Sequence, residues 1–150
     1  MDSFSRPFAA AGRAEHAFAA LTALVVDDEA HVRSYLRAVL KSLGVTTVWE
    51  ASDGEQGLEL YRQHGPAVVL LDVNMPVMAG DVAMTQFAAT EPPAAVIVVT
   101  SQSDREVVQH FLQLGALGYL LKHQPKEQIA QSLAEVLECL VVPDDEAESA

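Results

Sequence analysis

Four short apolar runs end on residues that can do chemistry with one another. "LTALVVDD" ends on Asp27 and Asp28, "VVLLD" on Asp72, "AVIVVTS" on Thr100 and Ser101, and "LGYLLK" on Lys122. If these runs are strands of one parallel sheet, their carboxyl ends share an edge, which is where open α/β sheets bind ligands. Carboxylates gathered there repel one another unless a cation joins them. Mg2+ fits, being hard, oxygen-seeking and commonly held by one or two carboxylates, waters and phosphate oxygens. Zinc does not fit, because the five histidines are scattered and there is one cysteine. A carboxylate beside Mg2+ can attack phosphorus and form an aspartyl phosphate. Lys122 would then neutralise charge on the moving phosphoryl group, and Thr100 would donate a hydrogen bond to one of its oxygens. A group that small needs no deep pocket for an organic substrate.

The elements that must position these residues follow from periodicity. Residues 21–27, 67–71, 95–100 and 117–121 are short, apolar and partly β-branched, and 45–50 ("VTTVWE") is a fifth, weaker strand. Helical patterns separate them. The first places Val32, Leu36, Val39, Leu40 and Leu43 on one face between Glu29 and Gly44. The second runs from Asp53 to Gln63 with Leu58 and Tyr61 inward and stops at Gly65-Pro66. The third covers about 80–90, before Pro92-Pro93. The fourth starts from Ser103 as N-cap, carries Val107, Val108, Phe111 and Leu112 as its apolar residues and stops at Gly115. The fifth has Pro125 at its first position and carries Ile129, Leu133, Val136, Leu137 and Leu140.

Strict alternation implies right-handed crossovers and a parallel sheet covered on both faces. The expected fold is α/β: a flavodoxin-like, doubly wound (βα)5 three-layer sandwich with strand order 2-1-3-4-5. The domain is placed at 21–142. Residues 1–20, with Phe4, Phe8 and Phe18 among alanines, are read as an N-terminal extension that forms a helix or docks. Residues 143–150 ("PDDEAESA") are read as an acidic tail or the start of a linker.

Composition narrows the class. A chain of 150 residues, 50% hydrophobic, suits one domain with a substantial core. Twenty-one acidic against nine basic residues, a net charge of −12, would repel a phosphate polyanion, so direct nucleic-acid binding is not expected. Arg6, Arg13, Glu15 and His16 break the N-terminal apolar residues, so no signal-peptide core or membrane insertion is expected. The lone Cys139 excludes an internal disulfide and is expected to be a small core residue. A cytoplasmic location is the natural expectation.

Taken together, "VVDDE" at 25–29, "LLDVNMPVMAG" at 70–80, "VIVVTS" at 96–101 and "GYLLK" at 118–122 resemble a bacterial response-regulator receiver domain of two-component signalling, chemotaxis regulators included. The resemblance spans about residues 21–142. It implies that Asp72 is the phosphoacceptor, that Asp27, Asp28 and Asp72 hold Mg2+ with the backbone carbonyl of Asn74, and that Thr100 and Lys122 bind the phosphoryl group. It further implies that Thr100 and Tyr119 form a switch, and that Asn74 and Gln102 tune the lifetime of the phosphorylated state. The implied donor is a sensor histidine kinase or phosphotransfer protein. The implied reader is a downstream protein or output domain, reached through the face of the fourth helix, fifth strand and fifth helix, which is also where a homodimer would form. Self-dephosphorylation is expected, but no turnover of an external substrate.

Competing uses exist for single residues. Asp28 also suits a helix N-cap and Tyr119 a core aromatic. Many receivers carry proline after the lysine with a cis bond there, whereas this chain has Lys122-His123, where cis would cost roughly 2.5 to 4 kcal/mol. As whole-protein alternatives, a phosphorylation-independent interaction module would keep the fold, and a metal-dependent phosphatase would want a second acid where Asn74 stands.

Overall fold

The computed structural model describes residues 18–73, 80–101 and 105–141. Five strands, β1 (Thr22–Val26), β2 (Thr47–Ala51), β3 (Val68–Asp72), β4 (Val96–Thr100) and β5 (Gly118–Leu121), alternate with five helices. The helices are α1 (Ala30–Ser42), α2 (Gly54–His64), α3 (Gly80–Ala88), α4 (Arg105–Gln113) and α5 (Lys126–Leu140). All strand pairs are parallel, in the order β2-β1-β3-β4-β5.

Successive strand side chains point to opposite faces, so the continuous apolar runs feed two cores at once. Ala23, Val25, Val68, Leu70, Ile97 and Val99 pack with Leu36, Val39 and Leu40 of α1 and Ile129, Leu133 and Leu137 of α5. Leu24, Val26, Val69, Leu71, Val96 and Val98 pack with Leu58 of α2, Met84 and Phe87 of α3 and Phe111 of α4. Burying each of the Val, Leu, Ile, Phe and Met side chains contributes roughly 1.5–3 kcal/mol. Phe18, ahead of β1, is buried in the core on the α1/α5 face.

Local signals explain the helix ends. The Asp53 carboxylate accepts from Gln56 N at 2.8 Å to start α2, and Gly65, at φ +58°, ends it. At Gly57 α2 comes close to the sheet: a Cβ there would lie 2.8 Å from Val26 Cγ2.

Some expectations are corrected. Leu112 is exposed, because it follows the buried Phe111 by one residue and so lies about 100° further round the helix. Cys139 is exposed, two residues past the buried Leu137 on the other side of α5. Pro125 stands at the N-cap of α5, one position earlier than expected, with its carbonyl accepting from Gln128 N and Ile129 N. The cis peptide bond among the described residues is Glu91-Pro92, so Lys122-His123 is trans. Ser103, Asn74, Gln102, residues 1–17 and the 143–150 tail lie outside the described residues.

Candidate functional site

At the carboxyl edge of the sheet, ladder bonds run one residue beyond the strands. Asp27 N donates to Ala51 O at 3.0 Å, Val73 N to Val99 O at 3.2 Å, and Lys122 N to Thr100 O at 2.8 Å. The backbones carrying Asp27, Asp72, Thr100 and Lys122 are thus held to neighbouring strands. Asp72 pairs with Val99 in the ladder, so it shares the α1/α5 face with Leu120 and Lys122. Thr100 lies on the opposite face with Val98 and its ladder partner Tyr119.

The charged groups converge. Lys122 Nζ lies 3.2 Å from Asp27 Oδ2 and 3.3 Å from Asp72 Oδ1, with the outer Glu29 Oε1 at 3.7 Å. Both aspartates are 1% exposed and Lys122 is 14% exposed. Burial pushes the Lys122 pKa down. The charges of Asp72 and Asp27, and hydrogen bonds to both, outweigh it and hold the pKa above the ordinary lysine value. Lys122 is therefore a fixed cation at neutral pH.

Asp28 adds a third carboxylate, exposed to solvent, and one oxygen from each of Asp27, Asp28 and Asp72 lies within 4.8 Å of the others. The residues fit Mg2+. Its donor oxygens sit about 2.0–2.1 Å away in an octahedron, so opposite donors are about 4 Å apart, and the three carboxylates already lie within 4.8 Å of one another. Asp27 Oδ2 is fully buried with the Lys122 ammonium at 3.2 Å, and its second lone pair leaves acceptor capacity for a cation. Asp28 does not cap α1: the N-cap is Glu29, with no side-chain bond, and Asp27 Oδ1 accepts from Glu29 N at 2.9 Å.

Of the residues singled out in the sequence, Asp27, Asp28, Asp72 and Lys122 are gathered here. Thr100 is buried at the adjoining strand end, and Tyr119 is 45% exposed on the same sheet face, which removes the core-aromatic reading. Sequence reasoning missed Glu29 as an ion partner of Lys122. It also missed Arg33, whose Nη1 donates to Asp27 O at 2.8 Å while its Nε holds Glu50 Oε1 at 3.1 Å. The available signal was Arg33 and Arg37 at i, i+4 opposite a lone strand acid. Beside Lys122 an apolar cavity of about 390 Å³ opens between α1 and α5, lined by Val32, Tyr35, Leu36 and Ile129 among others.

Residues 23–134 match the family described as response regulator receiver domain, and the chain belongs to that family. It is 36% identical over 120 residues to a probable chemotaxis protein CheY of Rhizobium etli, covering 78% of this chain and 92% of the relative. The receiver domain of the putative regulator NarL from Mycobacterium tuberculosis superposes with a TM-score of 0.69 at 34% identity, covering 80% of this chain and 95% of that one. A CheX–CheY–BeF3–Mg2+ complex from Borrelia burgdorferi gives 0.73 at 25% identity, covering 78% and 89%. Receiver domains are signalling modules of two-component systems, so the class of function is phosphorylation-controlled signalling. No helix among the described residues is long and apolar enough to cross a membrane.

Proposed function

We propose that Asp72 accepts a phosphoryl group from the phosphohistidine of a sensor kinase or phosphotransfer protein, with Mg2+ held by Asp27, Asp28, Asp72 and the Asn74 carbonyl. The convergence of Lys122 Nζ on Asp27 and Asp72, beside a third carboxylate, is the observation that carries this reading. An Asp72 oxygen attacks phosphorus in line, an O–P bond forms, and the P–N bond to histidine breaks with its electron pair staying on nitrogen. Lys122 keeps its proton and turns from the carboxylates toward the phosphoryl oxygens, and the Thr100 hydroxyl donates to one of them. Mg2+, if held by these acids, would supply positive charge that offsets the charge developing on the phosphoryl group. A relative of this fold in complex with BeF3 and Mg2+ supports the same chemistry.

The phosphoryl group adds charge and acceptor oxygens and shifts an equilibrium between two conformations. Thr100 moves toward the new group, Tyr119 turns inward behind it, and the α4-β5-α5 face changes its affinity for a downstream protein, output domain or second copy. Water later hydrolyses the acyl phosphate in the same site, with Asn74 and Gln102 setting the rate. The receiver unit is read as 21–142, preceded by a docking extension in 1–20 and followed by an acidic tail, and acts in the cytoplasm.

Incubation with Mg2+ and a small phosphodonor, followed by intact mass measurement, is expected to add one phosphoryl group to the wild-type chain and none to Asp72→Asn. Equal labelling of both chains rejects the assignment.

A further inference from the structure

Every polar atom of Asp27 is tied to a different part of the fold. Its N–H is on Ala51 O, Oδ1 takes Glu29 N, Oδ2 faces Lys122, and its carbonyl takes Arg33 Nη1. Besides Lys122, Arg33 is the one of these partners that carries a positive charge. Its guanidinium sits next to an acid cluster whose third member, Asp28, is the adjoining residue and exposed.

A guanidinium so placed is a competitor for any cation. Glu50 of β2 engages it, taking Arg33 Nε on Oε1 at 3.1 Å and Arg37 Nη1 on Oε2 at 3.1 Å. The carboxylate thus bridges two arginines one helical turn apart, which would otherwise repel each other. Arg33 and Glu50 are largely shielded, with side chains 18% and 27% exposed, so the pair is held more firmly than a surface ion pair.

Resting on the metal-site reading above, we infer that Glu50 is a positioning residue: it holds Arg33 on the Asp27 carbonyl and off the carboxylates, and so keeps the acid cluster available to a divalent cation. Without its charge, Arg33 is repelled by Arg37, and the acid cluster beside the Asp27 carbonyl that it holds includes the exposed Asp28. An Arg33–Asp28 pair would occupy one of the three metal-binding carboxylates. The sign is counter-intuitive, since removing a negative charge near the site lowers cation affinity by freeing a positive one.

Mg2+ binding to the full chain, followed by isothermal titration calorimetry, tests this with Glu50→Gln, Arg33→Gln and the double variant. Glu50→Gln is expected to weaken Mg2+ binding roughly tenfold, the low end of what partners behind a metal ligand contribute. In the Arg33→Gln background the same change is expected to cost less than about twofold, because no competitor is left to release. A role confined to folding would give the same penalty in both backgrounds. Wild-type affinity that Glu50→Gln leaves unchanged, or that falls equally with and without Arg33, overturns the inference alone. A wild-type chain without Mg2+ affinity overturns the metal-site reading beneath it. Should Glu50→Gln fail to fold, Glu50→Asp, one methylene too short to bridge both arginines, is expected to show the same background-dependent loss.

Discussion

Lys122 Nζ stands 3.3 Å from Asp72 Oδ1, and the same ammonium faces Asp27 Oδ2 at 3.2 Å. Two carboxylates that are 1% exposed thus share one cation drawn from a different strand. Without it they would be buried like charges.

Replacing Lys122 with Met removes that cation while keeping much of the stem's volume. Breaking a buried pair costs about 3–5 kcal/mol, and the lower end applies because Lys122 lies at the mouth of the site. Urea unfolding without divalent ions is expected to show the loss, and added Mg2+ to recover more stability in the variant than in the wild type. An unchanged midpoint in the variant contradicts the shared-cation account.

Alkaline pH provides a second check. The folded-state pKa of Lys122 is raised, so its stabilisation is fully present below the unfolded lysine value of about 10.4 and is lost as pH rises through the higher folded value. The difference in unfolding midpoint between wild type and Lys122→Met should be flat from neutral pH to about pH 10 and shrink above it. A difference that already shrinks between neutral pH and pH 9 contradicts the raised pKa.

Gly57→Ala introduces a methyl 2.8 Å from Val26 Cγ2 and 3.3 Å from its Cγ1. Val26 is fully buried, stiff at χ1 and immediately precedes Asp27. Overpacking of about 1–3 kcal/mol should outweigh the gain of up to about 1 kcal/mol from replacing a helical glycine. Thermal unfolding is expected to show net destabilisation, and a more stable variant would mean that β1 and α2 separate easily.

Phe18→Ala should cost about 3–5 kcal/mol, because the ring is fully buried in the α1/α5 core. A chain truncated to begin at residue 21 should lose at least as much. If truncation leaves the urea midpoint unchanged, the segment ahead of β1 contributes nothing to the domain.

Tyr119 is 45% exposed and shares a sheet face with buried Thr100. Phosphorylation of the wild type should protect Tyr119 from nitration, read by peptide mass, and Thr100→Ala should abolish the protection while still accepting the phosphoryl group. Protection that persists in Thr100→Ala would remove the hydroxyl from the switch.

Much of the fold was legible in the sequence for a simple reason. Strands buried on both faces must be short continuous apolar runs, so a charge or hydroxyl at the end of one, such as Asp72 after "VVLL" or Lys122 after "GYLL", marks the sheet's functional edge. Helix phase was less legible where the helix is apolar on more than one side. Leu112 and Cys139 look inward by composition, and only packing of Phe111 and Leu137 turns them to solvent.

By itself, then, the sequence determined the alternation of elements and which residues end each strand, because both are local properties of chain periodicity. Tertiary structure alone decided that Asp27 is buried and Asp28 exposed, that Lys122 reaches two acids at once, and that Arg33 is held between the Asp27 carbonyl and Glu50. Those contacts join residues in or next to β1, β2, β3, β5 and α1, most of them far apart in sequence. They exist only once the sheet order has set the strands side by side.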